Sequence, residues 1–278
     1  MKNKIVKTIK LDGGFAGDIH LIETENGERC IRKSYANNPS VDLNAEWNAL
    51  VFLHGKGYSV PKPLSKNTDE MYMQYIENGV LWDVYQTVDT ATQHDLIEKF
   101  TKLLHDLHCI SPKNVPSFDG FIQKEFSEIE SIIKEKQIDN YKDILYKLEE
   151  LSAGINEQPP CYVHRDYHVW NVLMDNNQKS YLIDMELTQG DYRFDVGWTY
   201  MLQNRSAVHD AWHSEIAKAF LSGYYKLRPE TYVDIEFFMQ LANLRWLVNV
   251  APMKKSDKHW FPEMKALAEQ AIDAFLNN

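Results

Sequence analysis

Two periods divide the chain. In the first part apolar residues alternate with polar ones: Ile19 and Leu21, the turn Glu25-Asn26-Gly27, then Arg29-Cys30-Ile31-Arg32-Lys33. Period-two alternation across an Asn-Gly turn predicts a β-hairpin. Strand signals crowd the first 78 residues, and helical spacing takes over afterwards at 93–108, 121–150, 211–227, 233–250 and 262–276. The segment 121–150 reads as one amphipathic helix whose outer face carries Lys124, Glu125, Glu128, Glu130, Lys134 and Glu135. This layout predicts an α+β protein of two lobes: a small β-rich N-lobe over 1–78 and a larger, mainly α-helical C-lobe over 79–278, with no repeats. Two further short strands are predicted at 171–175 and 180–184, joined by the polar loop Asn176-Asn177-Gln178-Lys179.

One early helix carries an irregularity. Between Val41 and His54 the residues Leu43, Trp47, Leu50 and Leu53 share a face, and at about 100° per residue Glu46 falls inside that stripe. An unpaired buried carboxylate is costly. The natural partner is Arg32 or Lys33 on the preceding strand; otherwise Glu46 sits at the stripe's edge and reaches water.

The densest chemistry lies in His164-Arg165-Asp166-Tyr167-His168-Val169-Trp170-Asn171, followed by Ile183-Asp184. These separations match the base and the two metal ligands of a phosphoryl-transfer site. A four-residue loop pairs Asp175 with Ser180 and therefore Asn171 with Asp184, putting an amide oxygen beside a carboxylate. Such oxygen ligands suit Mg²⁺, with substrate phosphates completing the shell. Upstream, Leu11-Asp12-Gly13-Gly14-Phe15-Ala16-Gly17-Asp18 is a glycine-rich turn of the kind that lets backbone N–H groups approach phosphates, although ordinary hairpin turns look the same.

Glycine turn, strand cation, helix Glu, HxDxxxxN and a later Asp occur in that order, and together they resemble the aminoglycoside phosphotransferase and choline kinase-like family of small-molecule kinases. The resemblance covers about residues 10–200 and implies a protein-kinase-like fold. It implies Asp166 as catalytic base, Asn171 and Asp184 as Mg²⁺ ligands, and Arg32 or Lys33 as the phosphate cation paired with Glu46. Gly13, Gly14 and Gly17 would cover the phosphates of ATP or GTP, and the hinge backbone at Gln74, Tyr75 and Ile76 would hold the base. Val60-Pro61-Lys62-Pro63 and Leu107-His108 also fit the family. Departures are Arg165, where many relatives have Gly, and Val169-Trp170, where they have Pro-Gly. Asp184 is followed by Met-Glu, no Ala-Pro-Glu follows, and His168 stands where protein kinases usually carry Lys. A small-molecule hydroxyl is therefore the expected acceptor rather than a protein.

Other residues take supporting parts in this reading. His164 braces the loop, His168 touches substrate or shapes the loop, and Asp191 and Asp195 pin loop backbone. Glu186 is a substrate acid or supports the metal ligands. Trp198, Tyr200, Trp212, Trp246 and Trp260 stack on a cationic substrate or fill the core. Asp210, Glu215, Glu230, Asp234 and Glu236 bind amino groups or are simply solvated.

Composition narrows the partners. A net charge of −10 argues against non-specific nucleic-acid binding. No apolar run approaches 18 residues and no signal peptide is recognisable, so no membrane partner is expected. Cys30, Cys109 and Cys161 are widely spaced, fit neither a disulfide framework nor a zinc site, and point to the reducing cytoplasm. Two alternatives keep the same letters: an inert nucleotide-binding scaffold, and a metal hydrolase using His164, Asp166 and His168.

Overall fold

In a computed structural model that describes residues 4–11, 18–35, 42–112, 120–185, 187–208, 210–251 and 261–277, the alternating segments form strands and the 3.6-period segments form helices. Strands are β1 (Ile5–Lys10), β2 (Asp18–Thr24), β3 (Arg29–Ser34), β4 (Pro63–Lys66), β5 (Glu70–Gln74), β6 (Cys161–Val163), β7 (Val172–Met174), β8 (Ser180–Leu182) and β9 (Thr188–Gly190). Helices are α1 (Leu43–Gly55), α2 (Leu81–Tyr85), α3 (Thr90–His108), α4 (Phe121–Lys136), α5 (Lys142–Ser152), α6 (Tyr192–Ser206), α7 (Trp212–Leu227), α8 (Ile235–Val250) and α9 (Phe261–Leu276). The chain divides into two compact units, Met1–Lys99 with Val169–Leu187, and Phe100–His168 with Thr188–Asn278.

The first unit is built on an antiparallel sheet in the order β1-β2-β3-β5-β4. The expected hairpin turn is present: Gly27 takes φ 78°, which costs glycine nothing, and donates its N–H to Thr24 O at 2.9 Å. Helix α1 starts where Asp42 caps it, accepting from Asn44 N–H at 2.8 Å, and it buries Leu43, Glu46, Ala49, Leu50 and Leu53.

The hairpin β7–β8 also belongs to this unit, but its register differs from the expected one. Val172 faces Leu182 and Met174 faces Ser180, and Asp175 N–H bonds Lys179 O at 3.0 Å. The turn is therefore three residues, Asn176–Gln178, closed by Gln178 at φ 58°. Asp175 drives this, because its carboxylate accepts from Asn177 and Lys179 N–H at 2.8 and 2.9 Å. Asn171 consequently faces Ile183, whose N–H it accepts at 3.1 Å, and not Asp184.

The second unit is helical apart from the pair β6–β9. The single helix expected over 121–150 is two, α4 and α5. Gln137 at φ 54° ends α4, Ile138 N–H returns to Ile133 O at 3.1 Å, and a 3-10 turn over Asp139–Tyr141 follows. Both halves keep the same amphipathic period, so the break left no mark on the pattern. Glu125 is another correction: expected on the solvated face, it is fully buried between two arginines. Helix α6 has no signature in the pattern, because it is buried almost all round and so shows no apolar stripe. It packs on α7 and α8. At Gly197 an added Cβ would come within 2.9 Å of Met239 N, so only glycine permits that crossing with α8.

Candidate active site

In the first unit the strand alternation of β3 separates the two candidate cations. Arg32 lies on one face, 3.5 Å from Glu70, and Lys33 lies on the other, only 5 % exposed. Lys33 Nζ donates to Glu46 Oε1 at 2.7 Å and to Asp184 Oδ1, and the Tyr35 hydroxyl donates to Glu46 Oε2. Glu46 is thus the buried carboxylate that the α1 stripe required, and Lys33 is its partner. Burial works against the Lys33 charge, but Glu46 and Asp184 outweigh it and raise the ammonium above its ordinary pKa. Burial pushes the Glu46 carboxyl up, and Lys33 opposes it.

Asp184 reaches Lys33 although it lies past the end of β8. Its backbone takes φ 57°, a left-handed conformation that redirects the side chain, and the carboxylate remains about a third exposed. Asn171 is buried just before β7. Together they offer an amide oxygen and a carboxylate, hard donors that suit Mg²⁺, which takes few protein ligands and leaves other positions to phosphates and water. Among the described residues no three His, Cys, Asp or Glu side chains form a metal cluster. At the end of β5, Gln74 is exposed, Tyr75 half-buried beneath the Arg29 guanidinium, and Ile76 buried. Gly13, Gly14, Gly17 and Glu186 lie outside the described residues.

In the second unit the segment His164–His168 is tied from behind by a buried relay. Asp195 Oδ2 accepts from His164 N–H at 2.6 Å, and Oδ1 accepts from Arg165 N–H at 2.7 Å. His108 Nε2 lies 3.0 Å from Asp195, and its Nδ1 lies 2.6 Å from the Tyr224 hydroxyl. A neutral His108 satisfies both contacts, donating to Asp195 and accepting from Tyr224. Burial pushes its pKa below the ordinary value, with Asp195 opposing. His164 Nδ1 accepts from Asp166 N–H at 3.2 Å, so the loop is braced internally as well. The Tyr167 hydroxyl donates to Phe100 O at 2.7 Å, and its carbonyl accepts from Thr199 at 3.0 Å. Asp191 pins a different segment, accepting from Gln158 N–H and from Arg193.

Arg165 takes φ 67°, a conformation in which a side chain costs something and glycine does not. Its guanidinium pairs with Glu125 at 2.7 Å and with Glu128, and Arg245 of α8 bonds the same two carboxylates at 2.6 and 3.0 Å. This four-charge cluster had no sequence signal beyond the unusual Arg. Asp166 itself points outward, its side chain 55 % exposed. Partial burial works against ionisation, but His168, with Nε2 3.5 Å from Oδ2, and then His164 hold the carboxyl below its ordinary pKa.

The aromatic and acidic candidates are mostly engaged. Trp198 stacks on Phe194, and the Trp246 ring is covered by the Arg205 guanidinium at 4.0 Å. Trp212 is partly exposed, and Trp260 lies outside the described residues. Asp234 pairs with Arg193, Glu230 pairs with Arg228, and Glu215 and Glu236 are exposed.

Comparison with known proteins extends these observations. A family model described as the phosphotransferase enzyme family matches residues 7–229. No curated protein matches in sequence. Among solved structures, a Plasmodium vivax ethanolamine kinase superposes with TM-score 0.72 at 15% identity, covering 98% of this chain and 82% of that one. The choline kinase LicA from Streptococcus pneumoniae gives TM-score 0.68 at 17% identity, with 98% and 94% covered. The ADP-bound aminoglycoside phosphotransferase APH(2'')-Ib gives 0.65 at 17%, with 96% and 93% covered. The fold is kinase-like, an antiparallel N-terminal sheet followed by a helical part, as the resemblance implied.

Proposed function

The chain belongs to the phosphotransferase enzyme family as a small-molecule kinase, and from that premise we propose that it moves the terminal phosphoryl group of ATP or GTP onto a small-molecule hydroxyl. The observation that carries the residue roles is the Lys33 cluster: an ammonium buried between Glu46 and Asp184. Burying such a group is costly, and a fixed point charge for phosphate oxygens is what the arrangement supplies.

In this reading residues 1–78 hold the nucleotide and 79–278 provide the base and the acceptor site. Lys33 orients the phosphates, and Glu46 holds Lys33 extended. Gly13, Gly14 and Gly17 cover the phosphates, while Gln74, Tyr75 and Ile76 hold the base. Asn171 and Asp184 would hold Mg²⁺, which when bound would supply neutralisation of charge on the phosphate oxygens. Asp166 accepts the proton of the acceptor hydroxyl or orients it, kept ionised by His168. Phosphoryl transfer needs little covalent help, so positioning and charge supply most of the acceleration. Arg32 takes no phosphate role, because Glu70 engages it. Among the described residues no helix is long and apolar enough to cross a membrane.

The test is ADP or GDP release with Mg²⁺ and ATP or GTP, against aminoglycosides, macrolides, choline, ethanolamine and homoserine. Acceptor-stimulated release is expected. Absence of Mg²⁺-dependent nucleotide binding would contradict the proposal.

A further inference from the structure

Of the two buried arginines, one is paired and the other has no hydrogen-bond acceptor among the described residues. Arg193 is fully buried and bonds Asp191, Asp234 and two backbone carbonyls. Arg205, also on α6 and 4 % exposed, has no acceptor among the described residues at Nε or at either terminal nitrogen. Its single contact of note is the Trp246 ring of α8, 4.0 Å from the guanidinium carbon. Burial pushes its pKa well down, and no described carboxylate opposes that. A cation–π contact on one face does not offset the cost of leaving a guanidinium's donors unmet in the interior.

A second polar group on the same seam is also unspent. Asn243 stands three residues before Trp246 and so neighbours it on the α8 surface. Its Nδ2 donates to Gln240 at 2.8 Å, while its Oδ1 has no donor. The seam leads toward the reactive loop along α6. Trp198 lies two turns before Arg205, roughly 10 Å along the axis. Thr199, beside Trp198, donates to the Tyr167 carbonyl of that loop at 3.0 Å.

Resting on the kinase reading, we propose that the acceptor carries a carboxylate, that Arg205 receives it, and that Asn243 Oδ1 accepts from an N–H or O–H of the same molecule. A guanidinium offers the planar fork that a carboxylate matches with two hydrogen bonds. One unpaired cation balances one negative charge, which favours a carboxylate over a doubly charged phosphate. The Trp246 face, a candidate platform for a quaternary amine, is already taken by Arg205.

Matched acceptors that differ by a carboxylate test this: ethanolamine against serine, and 3-aminopropanol against homoserine, assayed by ADP release with Mg-ATP. Wild type is expected to favour the carboxylated member by about 100-fold in kcat/KM, a difference of order a lost buried ionic contact. Arg205→Met should abolish that preference by raising KM for the carboxylated member, with Tm unchanged or higher. Equal use of both members by wild type, or a preference that survives in Arg205→Met, would overturn the assignment. If no pair turns over, thermal stabilisation by serine and homoserine decides. A shift lost in Arg205→Met supports the proposal, and no wild-type shift overturns it. Should Arg205→Met not fold, Arg205→Gln, which also removes the charge, is read the same way. Mg-ADP stabilisation measured alongside separates the two readings: its absence in wild type indicts the nucleotide site, not Arg205.

Discussion

The Lys33 cluster and the His164–His168 loop fix charged groups by opposite means. Lys33 is held by its side chain, sunk into the first unit and bonded to two carboxylates. Asp166 is held by its backbone: Asp195 and His164 grip the loop N–H groups while the carboxylate itself faces outward. The difference matches the tasks proposed for them. A group that orients phosphates gains from a fixed, dry charge, whereas one that meets a changing substrate needs an exposed tip on a rigid base.

This contrast makes its sharpest prediction at the two tips. Asp166→Ala should lower kcat by ~10²–10⁴ while hardly moving Tm, because little packing is lost. Lys33→Met should also lose activity, by weakening nucleotide binding, but unlike Asp166→Ala it should destabilise the fold. It leaves Glu46 buried without its cation and should destabilise the protein by about 3–5 kcal/mol in a denaturant titration. Lys33→Met combined with Glu46→Leu should recover most of that stability but no activity. If the single and double variants were equally unstable, the cluster would not be coupled as described.

Behind the loop, Asp195→Asn keeps one acceptor and turns the other into a donor. A loss of about 1–3 kcal/mol is expected, with kcat falling more than KM rises. His108 gives a pH signature. Its native pKa lies below the unfolded value of about 6.5, so the unfolded chain takes up the proton more readily. Stability should therefore decline as pH falls from about 6.5 toward the depressed value, and His108→Gln should flatten that decline. The smallest effect concerns His168. Asp166 is held below its ordinary pKa, so activity persists to lower pH and is lost as pH falls through that value. His168→Gln should move this acid limb to higher pH.

The sequence carried the site better than the joints around it. HxDxxxxN, the later Asp and a Glu inside an apolar stripe are local signals, each marking a cost or a spacing that few other structures tolerate. Which cation meets Glu46 stayed open, because alternation along β3 puts Arg32 and Lys33 on opposite faces without saying which face meets α1; Lys33 does. What stayed hidden depended on single backbone dihedrals or distant partners. Gln178 and Gln137, both left-handed, reset a hairpin register and split a helix without any glycine to announce them. Glu125 looked like a solvated helix acid because its partners, Arg165 and Arg245, lie far along the chain. His108 matched a family pattern, but its bond to Asp195 had no sequence signal.

The most direct test of the central claim is the steady-state rate of Asp166→Asn against wild type, using an acceptor that wild type phosphorylates. Mg-nucleotide affinity and Tm are measured on the same samples. A kcat loss of ~10² or more is expected, with nucleotide binding and Tm unchanged. A variant that turns over at the wild-type rate would contradict it.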